Sequence, residues 1–201
     1  MKSVYDFIIK PVGNVYDNSI DVDGEELLLN TSIEKYRFVN NKAIVVSTPL
    51  AFNTSIEEGD EIIVHHNVFR RYYNMKGKEV NSSKFFKDDL YFCQIDQIYL
   101  YKKIYKWYAF ADRCFAMPLK NNNDLELDKE QKLIGILKYG NKSLEDKGIS
   151  EGDVIGFTPN SEFEFIVNDQ RLYCMKSNDI VIKYEHQENQ VEYNPSWAKS
   201  S

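Results

Sequence analysis

The chain has 201 residues, of which 43% are hydrophobic and 28% are charged, and its formal net charge is −6. Its length suits one large domain or two small ones, and its composition is typical of a globular protein. The acidic balance argues against a general nucleic-acid binder, because such proteins usually present a basic surface. No run approaches 18 apolar residues, and residues 1–4 lead directly into a predicted strand. We therefore expect no membrane span, no signal peptide and a cytoplasmic location.

Strand signals dominate the chain from its start to residue 184. Short runs rich in β-branched and aromatic residues, bounded by Gly, Pro, Asn or Asp, predict strands. These runs are residues 4–12, 42–47, 61–66, 90–102, 113–119, 132–139, 154–158, 162–167 and 172–184. Only residues 143–147 predict a helical turn, which Gly148 would end, and residues 168–170 predict a hairpin turn. Short strands at this spacing indicate an all-β fold of the barrel or sandwich type.

One segment of the sequence occurs twice. Ile56–Ile62, with the sequence IEEGDEI, recurs at Ile149–Ile155 as ISEGDVI. Two further landmarks keep the same order in both halves, namely Pro11 and Pro118, and the Leu-Tyr pairs at 90–91 and 172–173. A repeat of about 90 to 110 residues is too long for a solenoid unit and predicts a duplicated small domain. The repeated Gly-Asp fits a surface turn, since Gly tolerates positive φ and Asp can accept nearby backbone N–H groups.

We therefore expect a first domain at residues 1–104, a second at 105–184 and a tail at 185–201. Three irregular stretches interrupt this plan. Residues 14–35 are acidic yet contain Leu27-Leu28-Leu29, residues 67–89 form a basic and aromatic insert in the first half only, and the tail carries Tyr193 and Trp197. Loops longer than about 12–15 residues in a compact domain are usually functional or disordered.

Each irregular stretch admits more than one interpretation. The three leucines could bind a partner or form an ordinary edge strand. Arg70-Arg71-Tyr72-Tyr73 could stack on single-stranded nucleic acid, make a contact within or between subunits, or be a solvated loop. Tyr193 and Trp197 could be aromatic anchors of a docking segment, or the tail could fold back onto its own domain.

Other reactive side chains give no catalytic or metal-binding pattern. The three cysteines have no metal-ligand spacing, and we expect reduced, buried thiols at Cys93, Cys114 and Cys174. His65 and His66 are adjacent on a predicted strand, so we expect their side chains to point to opposite faces and to hold no metal. Asp88-Asp89 fits a solvated turn better than acid–base catalysis. No glycine-rich phosphate-binding motif is present, so we expect no cofactor.

The order of these landmarks resembles that of the GroES-type co-chaperonin (10 kDa chaperonin) family. An apolar strand ending at Pro11 is followed by a long loop, the strand Lys42–Ser47, the Gly-Asp turn and a closing Ile-Tyr-Leu strand at 98–100. The second half repeats this order, so the resemblance covers residues 4–103 and 112–184. It implies two tandem GroES-like small β-barrels that associate into a homo-oligomeric ring. Tandem halves with a single loop are similar to divergent co-chaperonins of large bacteriophages.

The resemblance also implies a function. Gly24–Thr31 is similar to the family's mobile loop, so Leu27, Leu28 and Leu29 would contact a GroEL-type chaperonin. Burying three aliphatic side chains contributes about 5–8 kcal/mol before the cost of ordering the loop. The implied protein is a non-enzymatic cap that assists folding, located in the host cytoplasm if a phage encodes it. The alternative is a phage virion structural protein that reuses the barrel. An alcohol dehydrogenase, which also carries a GroES-like domain, would need a dinucleotide-binding domain that the sequence does not predict.

Overall fold

The fold is all-β, which confirms the predicted class. A computed structural model describes residues 2–16, 19–22, 25–28, 39–121, 129–185 and 190–199. These residues form antiparallel sheets, one short α-helix and a few 3₁₀ turns. The chain divides into two compact units, Met1–Lys106 and Trp107–Ser201. None of the helices in these described ranges is long and apolar enough to cross a membrane.

The first unit is built on one large sheet. Its strands are β1 (Phe7–Pro11), β2 (Ser19–Val22), β3 (Glu25–Leu28), β4 (Lys42–Ser47), β5 (Glu61–Val64), β6 (Tyr72–Tyr73), β7 (Glu79–Val80), β8 (Phe85–Lys87), β9 (Leu90–Cys93) and β10 (Ile98–Lys103). The next strand, β11 (Lys106–Ala109), spans the boundary between the units. The sheet has the order β11-β10-β5-β4-β1-β9-β8, whereas β2 with β3 and β6 with β7 form separate two-stranded sheets. Phe7, Ile62 and Leu100 are fully buried in its core.

The second unit repeats the large sheet with shorter connections. Its elements are β12 (Arg113–Lys120), β13 (Glu130–Tyr139), α1 (Lys142–Glu145), β14 (Val154–Phe157), β15 (Phe163–Val167), β16 (Gln170–Lys176) and β17 (Ile180–Lys183). The order in the sheet is β15-β16-β12-β13-β14-β17. The single helical turn begins where the Asn141 side chain accepts the Leu144 N–H, at 3.2 Å. Leu144 then packs with Leu137 and Ile155 in the core.

The two units follow one strand plan. Read along the sheet, β8-β9-β1-β4-β5-β10 corresponds strand for strand to β15-β16-β12-β13-β14-β17. The register agrees as well, because Ile9 lies opposite Tyr91 in the first unit and Ala116 lies opposite Tyr173 in the second. The Leu-Tyr pairs and the prolines noticed in the sequence therefore mark equivalent places in the two sheets.

The repeated Gly-Asp turns are equivalent in geometry. Gly59 has φ +92° and donates its N–H to the Val45 carbonyl at 2.8 Å. Gly152 has φ +94° and donates to the Leu137 carbonyl, also at 2.8 Å. Both glycines have φ values that side chains with a Cβ rarely adopt. The positive φ at this position therefore explains why both copies of the repeat have Gly there.

Two features of the predicted fold need correction. Among the described residues neither sheet closes into a barrel, because β8 and β11 end the first sheet and β15 and β17 end the second. The predicted long strands 90–102 and 172–184 are each broken by a 3₁₀ turn, at Ile95–Gln97 and Ser177–Asp179. In the first sheet β9 pairs with β1, whereas β10 pairs with β5. In the second sheet β16 pairs with β12, whereas β17 pairs with β14. The two parts of each run therefore join different strands and cannot be one strand.

Candidate docking site

The three leucines lie in or next to a small hairpin. β2 and β3 pair antiparallel, with Ser19 opposite Leu28 and Ile20 opposite Leu27. We call residues 19–28 the leucine hairpin. Leu27 and Leu28 are thus strand residues in a two-stranded sheet of their own, and Leu29 lies outside the described residues. Within the stretch expected to be irregular, Ser19–Val22 and Glu25–Leu28 are therefore strands, and partner binding by the leucines stays a prediction.

The chain on either side of the leucine hairpin is held at its base. Tyr16 and Val39 form an isolated antiparallel bridge. Asn40 joins the two sides, because its amide Nδ2 donates to the Val12 carbonyl at 2.7 Å and to the Asn14 carbonyl at 2.9 Å. Tyr16, Val39 and Asn40 therefore form a closed stem that joins the chain on the two sides of this segment.

The basic insert contacts this stem. The backbone N–H of Arg71 donates to the Tyr16 hydroxyl at 2.6 Å, and the Arg71 guanidinium lies 5.5 Å from the centre of the Tyr16 ring. Arg71 also pairs with Glu79 at 3.0 Å, across the β6–β7 hairpin. Burial raises the pKa of Tyr16, so its hydroxyl stays protonated at neutral pH. The insert at residues 67–89 therefore contacts the stem through Arg71 and Tyr16.

The C-terminal segment lies along its own unit. The Lys120 N–H donates to the Val191 carbonyl at 2.7 Å, and the Tyr193 N–H donates to the Pro118 carbonyl at 2.8 Å. These bonds extend the edge of β12 beyond its pairing with β16. Of the two alternatives for the tail, the described residues show the one in which it folds back.

Tyr193 and Trp197 differ in what remains available to a partner. Tyr193 is half-buried, whereas 49% of Trp197 is exposed. The Trp197 ring lies 5.7 Å from the guanidinium carbon of Arg171, within the range of a cation–π contact. Trp197 is therefore partly covered by its own unit, and only its exposed part could contact a partner.

Arg171 joins the tail to the sheet. Its guanidinium pairs with Glu130, and with Glu164 at 2.8 Å. Although burial alone would lower the pKa of Arg171, the hydrogen bonds to these two carboxylates raise it. Tyr173 completes the cluster by accepting from Arg171 at 2.9 Å and donating to Glu130 at 2.7 Å. Arg171 is thus held by two carboxylates and a tyrosine hydroxyl of its own unit, which indicates a structural role.

The two histidine rings lie side by side, and the three cysteines are buried. The rings of His65 and His66 have centroids 4.2 Å apart, so the expectation of opposite faces is wrong. β5 ends at Val64 and a 3₁₀ turn begins at His66, which removes the alternation of a strand. The described residues contain no group of three His, Cys, Asp or Glu side chains placed to hold a metal. The three cysteines are buried, and burial raises their pKa values, that of Cys174 to about 12.

Comparison with known proteins identifies no family for the chain. No family model matches the chain, and no curated protein matches it significantly. The sequence does not group the stem residues Tyr16 and Asn40 with Arg71 of the insert. Their only signal is that Tyr16 and Asn40 lie near the two ends of the long polar stretch, which does not reveal their contact with the insert.

Proposed function

We propose that this protein is a non-enzymatic co-chaperonin that docks on a GroEL-type chaperonin through the leucine hairpin. The observation that carries the proposal is the position of the hairpin, which pairs outside the seven-stranded sheet. The connection between β1 and β4 spans residues 12–41, whereas the equivalent connection between β12 and β13 spans only residues 121–129. The first unit alone therefore has room for a projecting element.

The closed stem supports a docking role on energetic grounds. A fully flexible loop must lose conformational freedom when it binds, and this cost offsets much of the gain from burying leucines. The bridge between Tyr16 and Val39 and the hydrogen bonds of Asn40 fix the stem before any partner binds. The leucine hairpin could then dock while Tyr16, Val39 and Asn40 keep their contacts.

We propose in addition that each unit is a GroES-like module. The common strand order and register of the two sheets support a duplicated module, and the resemblance in landmark order supplies its identity. Each chain would have two modules but one docking element. It would therefore make half as many chaperonin contacts per module as a protein in which every module has its own docking element. An oligomer of the chain would restore several contacts to one chaperonin, which raises the overall affinity through effective concentration.

A second copy of the chain would add to the outer edge of β17. This strand pairs with β14 on one side and ends the sheet, and its residues Val181 and Ile182 are 58% and 47% exposed. Its equivalent in the first unit, β10, has β11 as an outer neighbour. Exposed apolar edge strands readily pair with another chain. Val181→Lys with Ile182→Lys should therefore yield a monomer in size-exclusion chromatography with light scattering.

Docking is tested by co-sedimentation with a GroEL-type chaperonin in the presence of ATP. Leu28→Asp should weaken binding at least tenfold, because a buried carboxylate without a partner is strongly unfavourable in an apolar groove. Leu50→Asp is the matched control, since Leu50 is 62% exposed and lies outside the hairpin. Equal binding by wild type and Leu28→Asp would refute the docking element. Absence of chaperonin binding, together with recovery of the chain in purified phage particles, would favour the virion alternative.

A further inference from the structure

The insert of the first unit contains a cavity that the docking function does not use. Its volume is about 190 Å³, and it is lined by Asn67, Arg70, Tyr72, Ser82 and Ser83. The 3₁₀ turn His66–Val68 supplies one wall and the segment leading into β8 supplies another. The cavity therefore lies wholly within the part of the first unit that has no equivalent in the second.

Several polar groups face this cavity without a partner among the described residues. Within the described residues the guanidinium of Arg70 makes no ion pair or hydrogen bond, whereas that of the adjacent Arg71 is paired with Glu79. The side chains of Asn67, Tyr72 and Ser83 likewise make no hydrogen bond to any described residue. Arg70 is half-buried and the other three side chains are exposed, so these groups can exchange bound water for a polar ligand.

Ser82 has a different role in the same cavity. Its hydroxyl donates to the Val68 carbonyl at 2.6 Å and accepts the Lys84 N–H at 3.2 Å. These bonds fix the segment that carries Ser83 against the turn that carries Asn67. The walls of the cavity are therefore set before a ligand binds.

The charge around the cavity favours an anion. Residues 67–89 contain six Lys and Arg and three Asp and Glu, although the whole chain has a net charge of −6. No carboxylate lines the cavity in the described part of the unit. Arg70 also contributes, after burial and the adjacent His65, to lowering the pKa of His66 to about 4. The insert thus carries a net positive charge in an acidic protein.

We propose that this cavity binds a small phosphate-bearing ligand with an aromatic ring, of the class of a 5′-mononucleotide. Arg70 binds the phosphate with the planar, two-pronged geometry that guanidinium groups offer to phosphate oxygens. Asn67 and Ser83 donate hydrogen bonds to the same group. Tyr72 provides an aromatic face for the base, as in other nucleotide-stacking sites. The volume is below the roughly 300 Å³ at which drug-sized pockets begin, so the cavity itself takes the phosphate end of the ligand, while the base lies on Tyr72, which is 45% exposed.

The test is calorimetric titration of the full-length chain at constant ionic strength, with inorganic phosphate and adenosine 5′-monophosphate as probes. Wild type should bind both, and the nucleotide at least about tenfold more tightly because stacking is worth roughly 1–3 kcal/mol per base. Arg70→Gln should weaken both at least tenfold. Lys76→Gln makes the same charge change in the same insert outside the cavity and should leave binding unchanged. Ser83→Phe keeps the charge but fills the cavity, and should abolish binding even if Arg70→Gln fails to fold.

Four results would overturn the proposal. These are no binding of either probe to wild type, equal losses for Arg70→Gln and Lys76→Gln, equal affinity for phosphate and nucleotide, or binding of oligo-deoxythymidine without binding of the mononucleotide. The last result would indicate a nucleic-acid groove instead. None of these measurements involves a chaperonin, so their outcome is independent of the docking proposal.

Discussion

Asp153 occupies in the second unit the position that Asp60 occupies in the first. The Asp60 carboxylate accepts the backbone N–H of Glu57 at 2.7 Å, and the Asp153 carboxylate accepts that of Ser150, also at 2.7 Å. The Asp60 and Asp153 carbonyls in turn accept N–H groups from the equivalent strands β4 and β13. The two halves thus share a turn down to individual hydrogen bonds, which is stronger evidence of duplication than strand order alone.

The first prediction concerns this turn. Asp153 also pairs with Lys183 at 2.7 Å, and that hydrogen bond, followed by the one from Ser150, lowers the pKa of Asp153 from its ordinary 3.8. Asp153→Ala should lower the free energy of unfolding by about 1–2 kcal/mol at pH 7, since charge-assisted bonds are lost. A carboxyl with a lowered pKa stabilises the folded state above its ordinary value and loses that effect as pH falls through the lowered one.

Urea unfolding at pH 7 and at about pH 3 measures this dependence. The difference between wild type and Asp153→Ala should be largest at pH 7 and smaller in acid. Glu185→Gln removes a charge from the exposed end of the same unit and should change little. A penalty that is absent at pH 7, or that grows in acid, would contradict the role given to the carboxylate.

The second prediction concerns a strained turn. Ile104 has φ +58° and is 86% exposed, in the two-residue turn between β10 and β11. A β-branched residue in the left-handed region costs about 1–2 kcal/mol and here gains little burial. Ile104→Asn should therefore raise the free energy of unfolding by about 0.5–1 kcal/mol, because Asn tolerates this φ.

Ile104→Val is the control for that measurement. Valine is also β-branched and keeps the strain, so thermal unfolding should show a higher Tm for the Asn variant and an almost unchanged one for the Val variant. A stability of Ile104→Asn below that of wild type would mean that the exposed isoleucine makes a stabilising contact.

The third prediction concerns the C-terminal segment. Asn194 accepts the Arg171 N–H at 3.1 Å and donates to the Asp169 carbonyl at 2.9 Å, so one side chain holds the segment to the β15–β16 turn. Asn194→Ala should destabilise the docked segment by about 1–2 kcal/mol. Limited proteolysis should then cleave near residue 190 faster than in wild type. Cleavage at the wild-type rate would show that these two bonds are not what retains the segment.

Much of the sheet could be predicted because local chemistry determines it. The run Lys42–Ser47 is β-branched and forms β4 with the same bounds. The Asn168-Asp169 turn was evident from residue types that tolerate positive φ, and these residues have φ +50° and +59°. Gly59 and Gly152 stood out for the same reason. Each of these features depends on a few neighbouring residues.

The remaining features depend on contacts distant in sequence. β2 and β3 lie in an acidic stretch that composition does not mark as strand, but Asp23-Gly24 between the alternating run 19–22 and residues 25–28 is a hairpin signal that the sequence does carry. The break between β9 and β10 follows from which side of the sheet each strand joins, which no local pattern encodes. The contact of Arg71 with Tyr16 joins residues 55 positions apart, and the cavity at Arg70 depends on the conformation of the whole insert.

Native mass spectrometry of the full-length chain, mixed with a GroEL-type chaperonin and nucleotide, tests the docking proposal. We expect an oligomer of the chain alone, and a mass increase of the chaperonin by that same oligomer when the two are mixed. Leu28→Asp should keep the oligomer and lose the complex. A chain that stays monomeric, together with a chaperonin whose mass does not change, would contradict the account.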